Sequence, residues 1–419
     1  MNHRERIEGA LNHIKTDRVP IDFGSTTVSG ISASVVSKLR DYYGLPNHPP
    51  VKVIEPYQML GEINSDLGEI LGIDCIPLVG KTNLFGFDND NWKEWELFDG
   101  TPVLVPGKFN TLPEKDGSLL QYPEGDMSSE PSAKMPKGGF YFDSIKRQLS
   151  IDNDNLKIED NLEEFKIISE KELNFIKKRI NYCFTETDYA IVANFGGMSF
   201  GDIAFIPAPF LKNPKGIRDV QEWYISLVSR KKYVFNIFSK QCEIAIENLK
   251  RLFKVVDNRI SVIFVTGTDF GAQNSQFISN DLYRELFRPF HIKINNWIHE
   301  NTQWKTFIHS CGAIEPLILE FIEAGFDILN PVQLSASGMD AIELKNKYGK
   351  RLIFWGGGVD TQKILPFGSP KDVKKEVEKR LRDFSKDGGF IFNTIHNIQP
   401  NTPIENIAIM VETINKFSV

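Results

Sequence analysis

Eight short apolar runs, each opening into glycine or polar residues and separated by helical patterns, restrict this chain to a parallel sheet covered by helices. The runs lie at residues 18–24, 73–79, 190–196, 260–267, 304–312, 326–333, 352–358 and 389–397. Between them, helical periodicity covers residues 31–43, 58–71, 216 to about 256, 281–300, 314–324, 340–347, 370–384 and 403–417. Ser369-Pro370 and Thr402-Pro403 each set a capping residue before a proline, which suits the first helical position. Eight strands with intervening helices predict an α/β protein, a closed (β/α)8 TIM barrel, with a doubly wound open sheet as the alternative.

Residues 88–154 break this rhythm. Short alternating segments, Asp99-Gly100 and Asp116-Gly117 turns and a Pro/Ser/Gly-rich run predict a β-rich insertion or lid carried by a single barrel domain spanning residues 1–419. Trp92 and Trp95 within it are expected to pack.

Composition narrows the function classes. Lys and Arg number 49 against 55 Asp and Glu, a net charge of −6, so no overall positive field exists to hold nucleic acid. No apolar run approaches the roughly 18 residues of a membrane span, and the charged start Met1–Arg6 lacks the apolar stretch of a secretory leader. Cys75, Cys183, Cys242 and Cys311 lie far apart without a CxxC pair, which disfavours a disulfide framework and fits a reducing cytoplasm.

In a barrel of this kind the chemistry sits just after the strands. The polar residues found there are Asp22, Asn194, Thr268 with Asp269, His309 with Cys311, Asn330 with Gln333, Asp360 beyond Gly356-Gly357-Gly358, and His396 with Asn397. His309 and Cys311, two apart on one strand, share a face, and His396 on the last strand can reach across the mouth. Imidazole and thiolate suit Zn2+, which keeps a fourth position open when catalytic. The competing reading is a packed imidazole and a buried small thiol. Asp269 is a candidate ligand, orienting partner or acid/base, or simply a cap on the turn after its strand. The triple glycine, Gly357 at its centre, permits close ligand approach and equally serves a tight turn. Gly80-Lys81-Thr82 fails as a phosphate loop because Cys75 stands where the first glycine is required. His291 and His299, on the helix holding Pro289, are expected on its surface or flank.

Arg4-Glu5-Arg6, Asp17-Arg18-Val19-Pro20, His309-Ser310-Cys311-Gly312, Asn330-Pro331-Val332-Gln333, the stretch 354–360 and His396-Asn397-Ile398-Gln399-Pro400 with Thr402–Asn406 together resemble the uroporphyrinogen decarboxylase superfamily. The resemblance implies a (β/α)8 barrel over nearly the whole chain outside 88–154. The decarboxylase branch carries an arginine-rich RPxWxMRQAGR segment. Residues 18–27 here lack it, which removes the charge complement of a substrate with eight carboxylates. The cobamide-dependent methyltransferase branch holds zinc with HxC and a distant Cys. His309 and Cys311 match, and His396 stands at the distant position, as third ligand or as a substrate contact.

That resemblance implies a zinc-dependent methyltransferase moving a methyl group between a corrinoid protein and a thiol or similar acceptor. Asp269 and His396 would be catalytic, and Asp22, Asn194, Asn330, Gln333, Gly357 and Asp360 would bind substrate. No DxHxxG sequence occurs, so methylcobamide would arrive on a separate corrinoid protein. The alternatives are a decarboxylase of a tetrapyrrole or smaller acid, and a non-catalytic partner of a corrinoid protein. A homodimer is left open.

Overall fold

The computed structural model describes residues 1–195 and 197–417. Gly196, the end of the third expected strand, lies outside the described residues. Seven strands form one parallel sheet: β1 (Cys75–Val79), β2 (Ala190–Asn194), β3 (Val262–Thr266), β4 (Lys305–His309), β5 (Ile328–Asn330), β6 (Ile353–Trp355) and β7 (Phe390–Ile391). Each pairs with its neighbours in chain order, and all the pairings are parallel. The expected eight strands are therefore seven among the described residues.

The missing one is the first run, residues 18–24, where only Ile21 forms a bridge, to Phe392. The reason is local. Pro20 has no N–H to give a ladder, and the Ile21 N–H goes to the Asp74 carboxylate at 2.9 Å instead of to a backbone carbonyl. The segment still touches both sheet edges. Phe392 donates to the Pro20 carbonyl, Asp22 donates to the Phe392 carbonyl, and Asp74 donates to the Ile21 carbonyl, at 2.8–2.9 Å. Asp74, fully buried, also accepts from Arg6 at 2.6 Å and from Arg18 at 2.7 Å and 2.9 Å. The arginines of the opening motif thus pin this segment beside β1.

Alternate residues fill the inside of the sheet. Cys75, Ala190, Val192, Val262, Phe264, Phe307, Ile328, Ile353, Trp355 and Ile391 form one buried cluster, with Ile7, Ala10 and Leu11 of the helix His3–Leu11 packed into it. Such side-chain layers make the interior a core rather than a pore. A second, larger core lies between the sheet and the surrounding helices.

Several helices are shorter than their periodicity suggests. Residues 58–71 yield only Ser65–Leu71, because Met59 takes a positive φ of 55° and Leu60–Gly61 pairs with the strand Val51–Glu55. The long stretch after residue 216 divides at Arg230 into Val220–Ser229 and Lys231–Val256. Pro289 sits in the first turn of Arg288–Asn301, directly after Asn280–Leu286, so the expected single helix is two. The helix Glu170–Thr185 had no counterpart in the expected set.

The region 88–154 is β-rich, though not self-contained. Thr111–Pro113, Leu119–Gln121, Ala133–Met135 and Asp143–Ser144 form an antiparallel meander. Lys93–Glu96 and Pro102–Val105 form a hairpin that joins Val51–Glu55 in a second sheet. No helix among the described residues is long and apolar enough to cross a membrane.

Candidate metal centre

β4 ends at His309, and β5 ends at Asn330, its register partner. One further backbone bond, Ser310 N–H to the Asn330 carbonyl at 2.7 Å, carries the extended chain past the strand end. Cys311 thereby lies beyond the strand yet on the same side as His309, with Sγ 3.3 Å from His309 Nε2. The loop after β3 packs backbone to backbone on this turn. Gly312 has φ +91°, and a Cβ there would sit 2.4 Å from the Gly271 backbone, so only glycine fits. Ser310 Oγ accepts the Phe270 N–H at 2.9 Å, and Asp269 Oδ1 accepts the Cys311 N–H at 2.7 Å.

His396, in the loop after β7, completes the group. Its ring centroid is 6.0 Å from that of His309, and one ligand atom from each of His309, Cys311 and His396 lies within 4.8 Å of the others. Ligand atoms around a tetrahedral zinc are about 3.5 Å apart, given Zn–N and Zn–S bonds of about 2.0–2.3 Å. Small rotamer changes would bring the three donors to that spacing, so the set fits zinc in both softness and reach. His309 is 3% exposed, and Cys311 and His396 are half-buried.

Burial sets the electrostatics. It lowers His309, against the opposing Asp269 charge and the Asn330 hydrogen bond, and, with the neighbouring His309 charge, pushes His396 down to about 4. Burial and then the Asp269 charge hold the Cys311 thiol well above its ordinary value. Neutral imidazoles offer lone pairs, whereas the thiol needs a nearby cation to lose its proton. Asp269 Oδ1 lies 3.9 Å from His309 Nε2, on the side of the ring that faces Cys311.

Around the centre, Gln333 Oε1 accepts the Gly312 N–H at 2.8 Å, and its amide reaches Gln273 at 3.2 Å. Asn194 ends β2, half-buried. Three residues expected to bind substrate are held by contacts within the fold. Asp22 is fully buried, with its oxygens taken by the Ser25 N–H at 3.0 Å and the Trp355 indole at 2.9 Å. Asn330 is fully buried between His309 and the Trp355 carbonyl. Asp360 caps its own turn, accepting from Gln362 and Lys363 at 2.6 Å and 3.1 Å. Gly357 has φ +81° and a Cβ there would stand 2.8 Å from Val332, so close packing of the loops after β5 and β6 accounts for the glycine.

His291 departs from the expected place on the surface or flank of its helix. It is fully buried, not on the helix surface, with Nδ1 2.9 Å from the Tyr283 hydroxyl and aromatic rings around it. His299 does lie at the surface, 2.8 Å from Asp327. Asp202 was missing from the expected set. It is 7% exposed, and burial, opposed by the Ala204 N–H and helped by the Asp269 charge, pushes its carboxyl up to about 7. Tyr224 feels the same two carboxyls and is pushed up to about 12, burial being the larger cause. Asp202 belongs to the irregular connection after β2, where no periodic pattern marks a strand end, whereas Tyr224 lies on the helix Val220–Ser229.

The comparisons follow the same residues. A family model described as uroporphyrinogen decarboxylase (URO-D) matches residues 202–417, just over half of the chain and all of the metal candidates. A uroporphyrinogen decarboxylase of Ruthia magnifica subsp. Calyptogena magnifica is 24% identical over 195 residues, 44% of this chain and 50% of its own length. One of Coxiella burnetii (strain Dugway 5J108-111) is 30% identical over 95 residues, 20% and 26% respectively. The chain thus spans a quarter to a half of the length of these relatives. In fold it is similar to a methyltransferase from Methanosarcina mazei, with a TM-score of 0.53, 15% identity and full coverage of both chains. With its parallel sheet, its strand-end His-x-Cys and a family match running from Asp202 to Phe417, the chain belongs to the uroporphyrinogen decarboxylase (URO-D) family.

Proposed function

We propose that this chain is a zinc-dependent methyltransferase of the URO-D superfamily, moving a methyl group between a separate corrinoid protein and a thiol or related acceptor in the cytoplasm. The observation that carries the reading is the convergence of His309, Cys311 and His396 ligand atoms within 4.8 Å. His309 Nε2, Cys311 Sγ and one His396 nitrogen would hold the metal. Zinc with an open fourth position supplies a charge that keeps a bound thiol deprotonated near neutral pH. The chain's own residues do the rest. Asp269 holds the Cys311 backbone and stands near the His309 edge, while Gln333 fixes the turn at Gly312.

We also read the sheet as a (β/α)8 barrel whose eighth place is filled by Pro20–Asp22, because that segment bonds to residues at both sheet edges.

Decarboxylation is the second reading, favoured by the names of the curated relatives and by Asp202, a carboxyl held near neutral pH that could deliver a proton. Against a porphyrinogen substrate, Arg6 and Arg18 are spent on Asp74 and Asp17 and leave no guanidinium pair for its carboxylates. The test is metal analysis of protein purified without chelator. One zinc per chain is expected, lost in His309→Ala and Cys311→Ser; absence of zinc from the wild type would sink the methyltransferase reading. Full retention by His396→Ala would confine that histidine to substrate.

A further inference from the structure

His309 has two ring nitrogens and, besides the Cys311 thiol 3.3 Å from Nε2, which has a proton of its own to offer that nitrogen, two oxygen neighbours competing for its proton. Asn330 Oδ1 lies 2.6 Å from Nδ1, and Asp269 Oδ1 lies 3.9 Å from Nε2. The shorter contact decides only if Asn330 presents its oxygen. Its other end settles that, because Asn330 Nδ2 stands 2.8 Å from the Trp355 carbonyl oxygen. A flipped amide would set two acceptors face to face without a proton between them, so the nitrogen faces Trp355 and the oxygen faces His309. Asp269 is the weaker competitor on a second count, since its Oδ1 already accepts the Cys311 N–H at 2.7 Å.

The amide is held from behind as well. Trp355 is fixed by its indole on Asp22 at 2.9 Å, and the Asp22 carbonyl accepts from Asn393 at 2.5 Å. Gly356, at φ +95°, keeps its missing Cβ 3.1 Å from Asn330 Nδ2, so the turn leaves room for the amide. Asn330 and Asp22 are both fully buried, which removes bulk water as an alternative partner.

We infer that Asn330 is a positioning residue that fixes His309 with its proton on Nδ1 and its Nε2 lone pair aimed at the space shared with Cys311 and His396. Asn330 touches no substrate; it acts through the imidazole. The role in metal binding rests on the zinc reading above, whereas the tautomer does not. Outer partners of this kind change metal affinity by about 10–100-fold.

The experiment has two readouts on protein carrying 15N-labelled histidine, with His309→Gln assigning the signal. In the metal-free wild type, the nitrogen spectrum is expected to show a protonated Nδ1 and an unprotonated Nε2 for His309. In Asn330→Leu that preference is expected to be lost, and competition with a chromophoric chelator for Zn2+ should show affinity weakened about 10–100-fold. Asn330→Asp, which keeps an oxygen acceptor, should retain the tautomer and bind zinc more tightly than Asn330→Leu. A wild-type spectrum with the proton on Nε2 overturns the inference, even if Asn330→Leu fails to fold. So does a folded Asn330→Leu with an unchanged spectrum. The expected tautomer with no zinc bound would support the inference while sinking the proposed function.

Discussion

Replacing Asp202 by Asn should stabilise the protein, and by more as the pH rises. The Asp202 carboxyl is 7% exposed and, chiefly through burial, is raised to about 7 in the fold, against about 3.9 in an unfolded chain. Between those values the folded protein binds the extra proton. Its stability is therefore greatest below the unfolded value and is lost as pH rises through the folded one. Three units at about 1.36 kcal/mol each give a burden of about 4 kcal/mol by pH 8, of which roughly 2–3 kcal/mol develops above pH 5. Asparagine removes the charge while its oxygen can still accept the Ala204 N–H, now 3.0 Å away. Urea unfolding of wild type and Asp202→Asn at pH 5, 6.5 and 8 measures the difference directly. The gap should widen by roughly 2–3 kcal/mol across the series. A gap that stays constant, or narrows toward pH 8, would refute the reasoning.

Two further outcomes are expected. Gly312→Ala should destabilise by several kcal/mol or prevent soluble expression, since its Cβ would collide with the Gly271 backbone at 2.4 Å; Gly100→Ala, with a similar φ of +79° and nothing within 4 Å, should cost only about 1 kcal/mol, and equal thermal melts for the two would contradict this. His291, pushed down to about 3 by burial, loses stability for the fold as pH falls below about 6.5, roughly 3 kcal/mol by pH 4.5; His291→Gln should flatten that acid limb, and an unchanged pH profile would speak against it.

The metal candidates could be picked out because strand ends write themselves into sequence: apolar runs stop where polar side chains begin, and His309, Cys311 and His396 stand at or soon after such stops. The same logic does not separate Asp22 and Asn330, which are fully buried, from residues that face the mouth. A polar residue at a strand end can face the mouth or be sealed behind it, and only the Trp355 contacts, far away in sequence, distinguish the two. The eighth strand was misjudged because its apolar pattern is right while Pro20 and the Asp74 carboxylate remove the ladder. Asp202 was invisible for another reason. It lies in an irregular connection, and its burial and its Asp269 neighbour are properties of the folded chain alone.

The seam at Pro20–Asp22 also bears on how the chain is made. Asn393 reaches Asp22 across 371 positions, so the sheet cannot be joined at that point until nearly all of the polypeptide has emerged. Until then the Pro20–Asp22 segment, already seated beside β1, presents its far side to whatever else is nearby. Closing so long a loop costs only slightly more entropy than closing a short one, yet it must come late. Synthesis of this protein should therefore pass through a long-lived, open-sided stage, the period in which a chaperone would matter most.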